Sequence, residues 1–473
     1  MPRSTEHDYN AAAREIEFCV DIYFDGVNNT PLHITRNNYL IDLDLLEEAC
    51  SDDDTLIGAP SANEVSFNIF SDDGIFNPNN TQSIYYNKIK LGLCMKVYAR
   101  PVVSEPTASH QELSQYTHEE LSVYRHRDIN ELGTVKELDW DPLGTFYITD
   151  WSTDITGINV RITGTDTLAS LFNSAQTNVS IKQQRTMEEL IIDFFNANNK
   201  NITVTSQLDQ VLSFAYISEA NDKFLKNFSN GSLSFIFVDH YGAIRVQPLD
   251  ADLSTLWTLT DHDQILEITA DQSIINTYDG VMVVCEKPQL SECINILSNK
   301  EQAIGNREVK TLNGQGLSST PLYALSHVEV QSTTDCDISN VEAHTHDISY
   351  KVTNNLSTAT TVSINFFGYI IEKVPITLSD DTQSILKLDS DYVQNEDYAE
   401  RLKNILTAYI RLKIPVLEVV TRGNPKYQPG DKVRIYSEEY GVDFTGWLIR
   451  QHFTYDGGLK CTITVLNSAI IGG

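Results

Sequence analysis

The feature that most constrains this chain is a dense run of turn signals set between strand-like segments, Asn68 to Ala99, NIFSDDGIFNPNNTQSIYYNKIKLGLCMKVYA. Just before it, Val65, Phe67 and Ile69 alternate as in a half-buried strand, and the alternation stops at Phe70. Ser71-Asp72-Asp73-Gly74 then supplies a tight turn, because glycine takes positive φ without steric cost. A second turn follows at Asn77-Pro78-Asn79-Asn80, then the Tyr85-Tyr86 pair, the turn ending at Gly92, and a strand from Leu93 to Tyr98. A chain punctuated in this way folds as short antiparallel strands.

The same reading extends along the chain. Residues 1 to 14 are polar and read as an arm. Glu15 to Phe24 alternates, with Ile16, Phe18, Val20 and Ile22 on one face, and Leu40 to Leu46 and Glu64 to Phe70 read as further strands. Residues 104–140 are polar and read as a partly helical insertion on the outside of a barrel. Strands resume at Gly144 to Trp151 and at Ile158 to Gly164. Beyond Asp166 the period changes. A short helix is expected over 165–172, and Thr186 with Glu189 forms a capping box. Met187, Leu190, Ile191 and Phe194 then share one helix face. Leu233 to Val238 and Ala243 to Val246 read as a hairpin. Residues 286 to 325 read as polar and irregular, and Thr361 to Ile371 as strand. Tyr398, Leu402, Ile405, Leu406 and Tyr409 mark an amphipathic helix ended by Pro415. Four strands close the chain, at 417–420, 432–436, 446–453 and 461–466.

Three segments together resemble tail-tip and baseplate hub proteins of tailed bacteriophages. The first carries Asp73, Gly74, Phe76, Pro78, Asn80, Tyr85, Tyr86 and Gly92; Asn77 stands where that family more often has serine, and either suits a turn. The second is the strand with Gly144 and Phe146. The third runs Gly423-Asn424-Pro425 to Pro429-Gly430-Asp431 and is followed by Asp456-Gly457-Gly458. The resemblance implies a mainly β, multidomain chain with α+β insertions: two tube-type β-barrel domains plus accessory domains. The expected division is an arm at 1–14, a first barrel at 15–164, an α+β accessory domain at 165–262, a second barrel from 263–286 with 400–473, and an inserted β-rich domain at 287–399.

The resemblance further implies a homotrimer that joins a six-fold tail tube, or distal tail proteins, to a three-fold central spike or fibre. A tape-measure protein and DNA would pass through its channel, the DNA without specific binding. The expected location is the virion tail tip, after synthesis in the host cytoplasm. Many such hubs continue into a lysozyme or peptidase domain; with Gly473 directly after the final strand, a hub without one is expected. The alternative is a β-rich virion receptor- or glycan-binding component, and a third reading is a hydrolase with an acidic site.

Composition constrains these readings. A net charge of −31 argues against binding nucleic acid by phosphate contact; it reads first as a solubilising surface and, as the functional alternative, as a lumen that repels passing DNA. No apolar run has the length of a membrane helix, so no membrane insertion is expected. The seven cysteines are scattered without a CxxC and read as buried free thiols. No catalytic residue, cofactor or metal site is expected. His344 and His346 would share a face if they lay in a strand, but two ligands do not make a site. His118-Glu119-Glu120 lacks the second histidine of a zinc-protease helix, and Asp52-Asp53-Asp54 and Asp72-Asp73-Gly74 lack the ligand alternation of a calcium loop. Gly314-Gln315-Gly316 lacks the third glycine of a nucleotide loop. Tyr85, Tyr86, Phe146, Tyr147 and Trp151 read as core packing ahead of interface anchors.

Overall fold

A computed structural model describes residues 15–27, 29–51, 59–102, 139–174, 181–217, 220–249, 251, 253–261, 265–271, 278–315, 321–331, 336–345, 347–412 and 415–468. The fold is mainly β, in several sheets, with four helices among the described residues.

The alternating segments assemble into one 13-stranded sheet. Its path runs Ile265–Asp271, Val416–Thr421, Leu459–Asn467, Val442–Tyr455, Leu40–Glu48, Glu64–Phe70, Asn159–Thr165, Asp141–Thr153, Cys94–Val102, Glu15–Tyr23 and Leu32–Thr35. Lys432–Ser437 pairs beside Val442–Tyr455, and Trp257–Thr260 lies parallel on it. The 14-residue strand Val442–Tyr455 is the joint: its second half pairs with Leu459–Asn467 on one side and with Leu40–Glu48 on the other. N-terminal and C-terminal strands are therefore stitched edge to edge, with Phe453 opposite Leu45 and Tyr455 opposite Leu43.

Period-2 burial explains the sheet's thickness. Phe18, Val20, Ile22, Leu45, Phe67, Met95, Val97 and Ile162 are fully or almost fully buried on one face, as are Leu417, Val419, Ile435, Phe453 and Ile463. All belong to a single apolar cluster that runs across the joint.

The α+β segment forms around a second core. The helix Met187–Ala197 starts at the Thr186 capping box and buries Met187, Leu190, Ile191, Phe194 and Phe195. It packs with the helices Thr167–Phe172 and Asn221–Ser232, and with the hairpin Ser234–Val238 and Ile244–Pro248. The helix Glu396–Ile410, capped by Asn395, lays Leu402, Leu406 and Tyr409 on Val281, Val283 and Cys285.

The 286–325 reading needs correction, for it holds strand throughout most of its length: the end of Gly280–Leu290, then Ile294–Ile304, Val309–Gln315 and the start of Leu322–Gln331. The 20-residue strand Thr360–Ser379 organises them, pairing with Gly280–Leu290 along one half and between Ile294–Ile304 and Leu322–Gln331 along the other. Its inward residues Val362, Ile364 and Phe366 meet Ile348, Tyr350 and Val352 of a facing three-stranded sheet. The strand Ile294–Ile304 escapes detection because its register breaks at Asn295/Leu297 and again at Asn299/Gln302, which destroys any period-2 signal.

Candidate functional surface

The first turn-rich segment forms a ladder of successive turns. The N–H groups of Gly74, Asn77, Asn80, Ser83 and Tyr86 each donate to the carbonyl three residues earlier. Pro78 sits at the second position of the Asn77–Asn80 turn, where its fixed φ is favourable. Side chains brace the ladder: Asn77 Oδ1 accepts from Asn79 N at 2.9 Å, Asn80 Nδ2 donates to Gly74 O at 3.0 Å, and Asp73 bonds Ser71 Oγ. Turn chemistry thus accounts for Asp73. Phe76 is fully buried beneath the ladder, stacked on Tyr85 at 5.4 Å and edge-on to Tyr39 at 4.9 Å. Its carbonyl accepts from Trp151 Nε1 at 3.0 Å. The aromatic group splits by role. Phe146, in the strand Asp141–Thr153 that also holds Gly144, is core, and Tyr85 and Trp151 pack against that core. Tyr86 and Tyr147 are exposed. Gly92 closes the segment by donating to Ile148 O at 2.7 Å. Ile84, Tyr86 and Leu91 stand exposed on the segment, Phe70 at the end of the strand that leads into it, and Ile155 on the loop bonded to it.

The third segment is an internal joint. Gly423, Asn424, Pro425, Pro429, Gly430 and Asp431 are all buried or half-buried. Gly430 has φ +86°, and a Cβ there would lie 2.4 Å from Phe237 Cζ of the α+β hairpin. Gln247 of the same hairpin donates to Gly430 O at 3.0 Å. Asp431 accepts from Trp257 Nε1 at 2.9 Å and from Gln428 N at 3.2 Å. Asn424 caps its own turn through Lys426 N. Asp456, Gly457 and Gly458 make the turn between the last two strands, with Gly457 O accepting from Arg36 at 3.2 Å.

A buried polar seam continues this joint into the main sheet. Glu47, 1% exposed, lies 2.9 Å from His240 Nε2, itself 5% exposed. Gln451 donates to Glu47 Oε2 at 2.5 Å and to Tyr427 O at 2.8 Å. Asn63 links Glu48 N, Val238 O and the carboxyl of Asp166. Burial raises the Asp166 carboxyl to about 7, opposed by N–H bonds from Asn63, Leu168 and Ala169 and reinforced by Glu47.

The face of the main sheet opposite the core is polar over seven strands. Across the joint it presents Asp42, Asp44, Glu64, Ser66, Asn68, Arg161 and Thr163 from the N-terminal strands. From the C-terminal strands it presents His452, Thr454, Lys460, Thr462, Thr464, Glu418 and Glu267. His452 Nε2 meets Asp44 Oδ1 at 2.9 Å directly over the joint. These side chains are exposed or half-exposed. They make a polar surface interrupted near the joint by the apolar side chains of Leu46 and Val420.

Other sequence candidates fall elsewhere. His344 lies in the turn between the strands Cys336–Ala343 and Asp347–Asn354, so the strand placement behind a shared His344/His346 face does not hold; His346 itself is outside the described residues. His118 to Glu120, Asp52 to Asp54, Gly316 and nearly all of the 104–140 insertion also lie outside them. Of the seven free cysteines, Cys19, Cys50, Cys285 and Cys461 are buried, but Cys293 is exposed and Cys94 and Cys336 are half-buried. Sequence reasoning missed one cluster, Cys19, Asp21 and His33, whose ligand atoms converge on adjacent strands. The Cys19-x-Asp21 alternation was visible; the partner His33 depended on register.

No protein-family model matches the chain, and no curated protein does. Solved structures do. A 43 kDa tail protein of prophage MuSo2 from Shewanella oneidensis aligns over 96% of this chain and 99% of its own, at 9% identity and a TM-score of 0.50. The chain shares the fold of this phage tail protein. A tail protein from Neisseria meningitidis MC58 covers 96% and 97% at 10% identity and TM-score 0.49. A component of the E. coli type VI secretion system, described as similar to the T4 tail proteins gp27 and gp5, covers 95% and 76% at 9% identity and TM-score 0.39.

Proposed function

We propose that this chain is a structural protein of a phage tail tip or baseplate, a hub that joins the tail tube to a central spike or fibre. The observation that carries the reading is the joint at Val442–Tyr455. It fuses two strand sets into one sheet whose outward face is mostly polar on both sides of the joint. One set comes from 15–164 and the other from 263–286 with 400–473, the latter through Ile265–Asp271 and joined by Trp257–Thr260 from the end of the 165–262 segment; Gly280–Leu290 instead pairs with Thr360–Ser379 in the accessory region. Each chain therefore offers two tube-type units side by side, and three chains offer six. A homotrimer built this way matches a six-fold tube at one end and a three-fold spike at the other.

The ends of the sheet path support closure. Leu32–Thr35 and Ile265–Asp271 carry no further strand partner among the described residues. Pairing between neighbours would satisfy those backbone edges. The polar face then turns inward, where Asp42, Asp44, Glu64, Glu267 and Glu418 outnumber Arg161 and Lys460. Such a wall repels phosphate and lets DNA and a tape-measure protein pass without sticking. The exposed apolar residues Ile84, Tyr86 and Leu91 suit contact with a tube or distal tail protein. The three motif segments act as turn builders and internal joints, and the role is mechanical rather than enzymatic. Accessory domains at 165–262 and 287–399 flank the ring.

Light-scattering mass and electron microscopy on one concentrated sample test the proposal. A three-fold ring with six barrel-like densities around a channel is expected. A particle that stays monomeric when tube and spike proteins are added would remove the hub reading. The second reading, a receptor- or glycan-binding component, draws on the exposed His327 stacked on Phe367 at 4.7 Å on the accessory sheet. Saturable glycan binding lost in Phe367→Ala would favour it.

A further inference from the structure

Strand alternation places Cys19 and Asp21 on the outward face of Glu15–Tyr23, and the pairing register sets His33 of the terminal strand Leu32–Thr35 directly opposite Asp21. Cys19 is fully buried although it points away from the apolar core, Asp21 is 14% exposed and the His33 ring 51%. Their ligand atoms form a small triangle: Asp21 Oδ1 to His33 Nδ1 2.7 Å, Cys19 Sγ to Nδ1 3.1 Å, and Sγ to Oδ1 3.5 Å. Tetrahedral zinc, with bonds of about 2.0 Å to N and O and about 2.3 Å to S, separates its ligand atoms by about 3.3 to 3.6 Å. The Sγ–Oδ1 edge meets that spacing, the Sγ–Nδ1 edge falls about 0.4 Å short and the Oδ1–Nδ1 edge, now a hydrogen bond, about 0.6 Å short, so a cation would spread the triangle slightly. Sγ also lies 3.5 Å from Nε2, so it sits beside the ring rather than along the Nδ1 lone pair. Coordination requires the half-exposed imidazole to turn.

One side of the His33 ring is bounded and the other open to solvent, which leaves room for that turn. Trp140 meets His33 edge-on at 5.9 Å, the Arg100 guanidinium lies over Trp140 at 4.2 Å, and Glu17 pairs with Arg100 at 2.9 Å. The soft thiolate, imidazole and single carboxylate suit zinc or cobalt(II), and disfavour magnesium and calcium, which take oxygen ligands.

We propose that Cys19, Asp21 and His33 form a three-ligand site for a zinc-class divalent cation, with the fourth position open to water, that clips the terminal strand Leu32–Thr35 to the sheet. The site joins two strands that share only four paired positions, so a cation there stiffens the sheet edge. This inference stands whether or not the chain is a hub.

Cobalt(II) titration of the full chain tests it. One equivalent is expected to give tetrahedral d–d bands and a thiolate-to-metal charge-transfer band. Cys293→Ser, which removes the exposed thiol, should leave that band intact; Cys19→Ser should abolish it. His33→Ala, at an exposed position where folding is not at stake, should weaken zinc binding by at least about 10-fold in competition with a chelator. Zinc should raise the wild-type Tm and slow amide exchange over 32–35, and do neither in His33→Ala. Cobalt spectra without the thiolate band, a band that survives Cys19→Ser, or one lost in Cys293→Ser would overturn the site.

Discussion

Gly430 shows how one residue fixes a joint between parts of the chain far apart in sequence. Its positive φ and the missing Cβ let the loop meet Phe237 and the Gln247 amide. Gly430→Ala should cost about 3 kcal/mol or more, since backbone strain and overpacking act together. Gly441→Ala, also at positive φ but facing open space, should cost only about 1 kcal/mol. Urea unfolding of the two variants measures the contrast. Asp166 sets a second residue-scale expectation. Its folded carboxyl titrates near 7 against an ordinary value of 3.8, so between these the folded chain holds one proton more than the unfolded chain. Stability from this group therefore falls as pH rises through that window and levels off above it. The Tm difference, wild type minus Asp166→Asn, should shrink from about pH 5 to about pH 8. These details were only partly legible. Gly423, Pro425, Pro429 and Gly430 are turn-forming residue types and stand in turns and loops, but their burial, and the contact of Gly430 with the α+β hairpin, could not be seen from residue types. Likewise a helix is expected over 165–172, but that Asp166 caps it from outside and has its carboxyl raised by burial is decided by the structure.

Among the elements, Val442–Tyr455 matters most, because one strand completes two pairings. Phe453 is fully buried where the two sets meet. Phe453→Ala should lose about 3–5 kcal/mol. Amide exchange should rise on both sides of the joint, in 43–46 as well as 461–464; an effect confined to the C-terminal strands would show that the core is not shared. Elements with an uninterrupted period were readable in advance, such as Glu15–Tyr23 and the capped helix Met187–Ala197. Ile294–Ile304 was not, because two register shifts and polar outward residues erase alternation over its length.

For the whole molecule, charge governs assembly. Each copy carries −31, so copies brought together in a ring repel one another. Raising ionic strength toward about 0.15 M, where the screening length falls to about 8 Å, should increase the assembled fraction. Mass measured across a salt series checks this, and dissociation by added salt would mean that ion pairs hold the interface instead. The sequence by itself determined the strand-and-turn texture, the Thr186 helix cap, the polar balance and the mainly β fold class. Those depend on neighbours within a few residues, where steric preference and period act directly. Tertiary structure alone decided that residues 43–48 pair with 450–455, that the third motif is an internal joint, and that His33 stands opposite Asp21. Each is a choice of register between segments separated along the chain, and register is set by mutual burial and backbone pairing that no single segment contains.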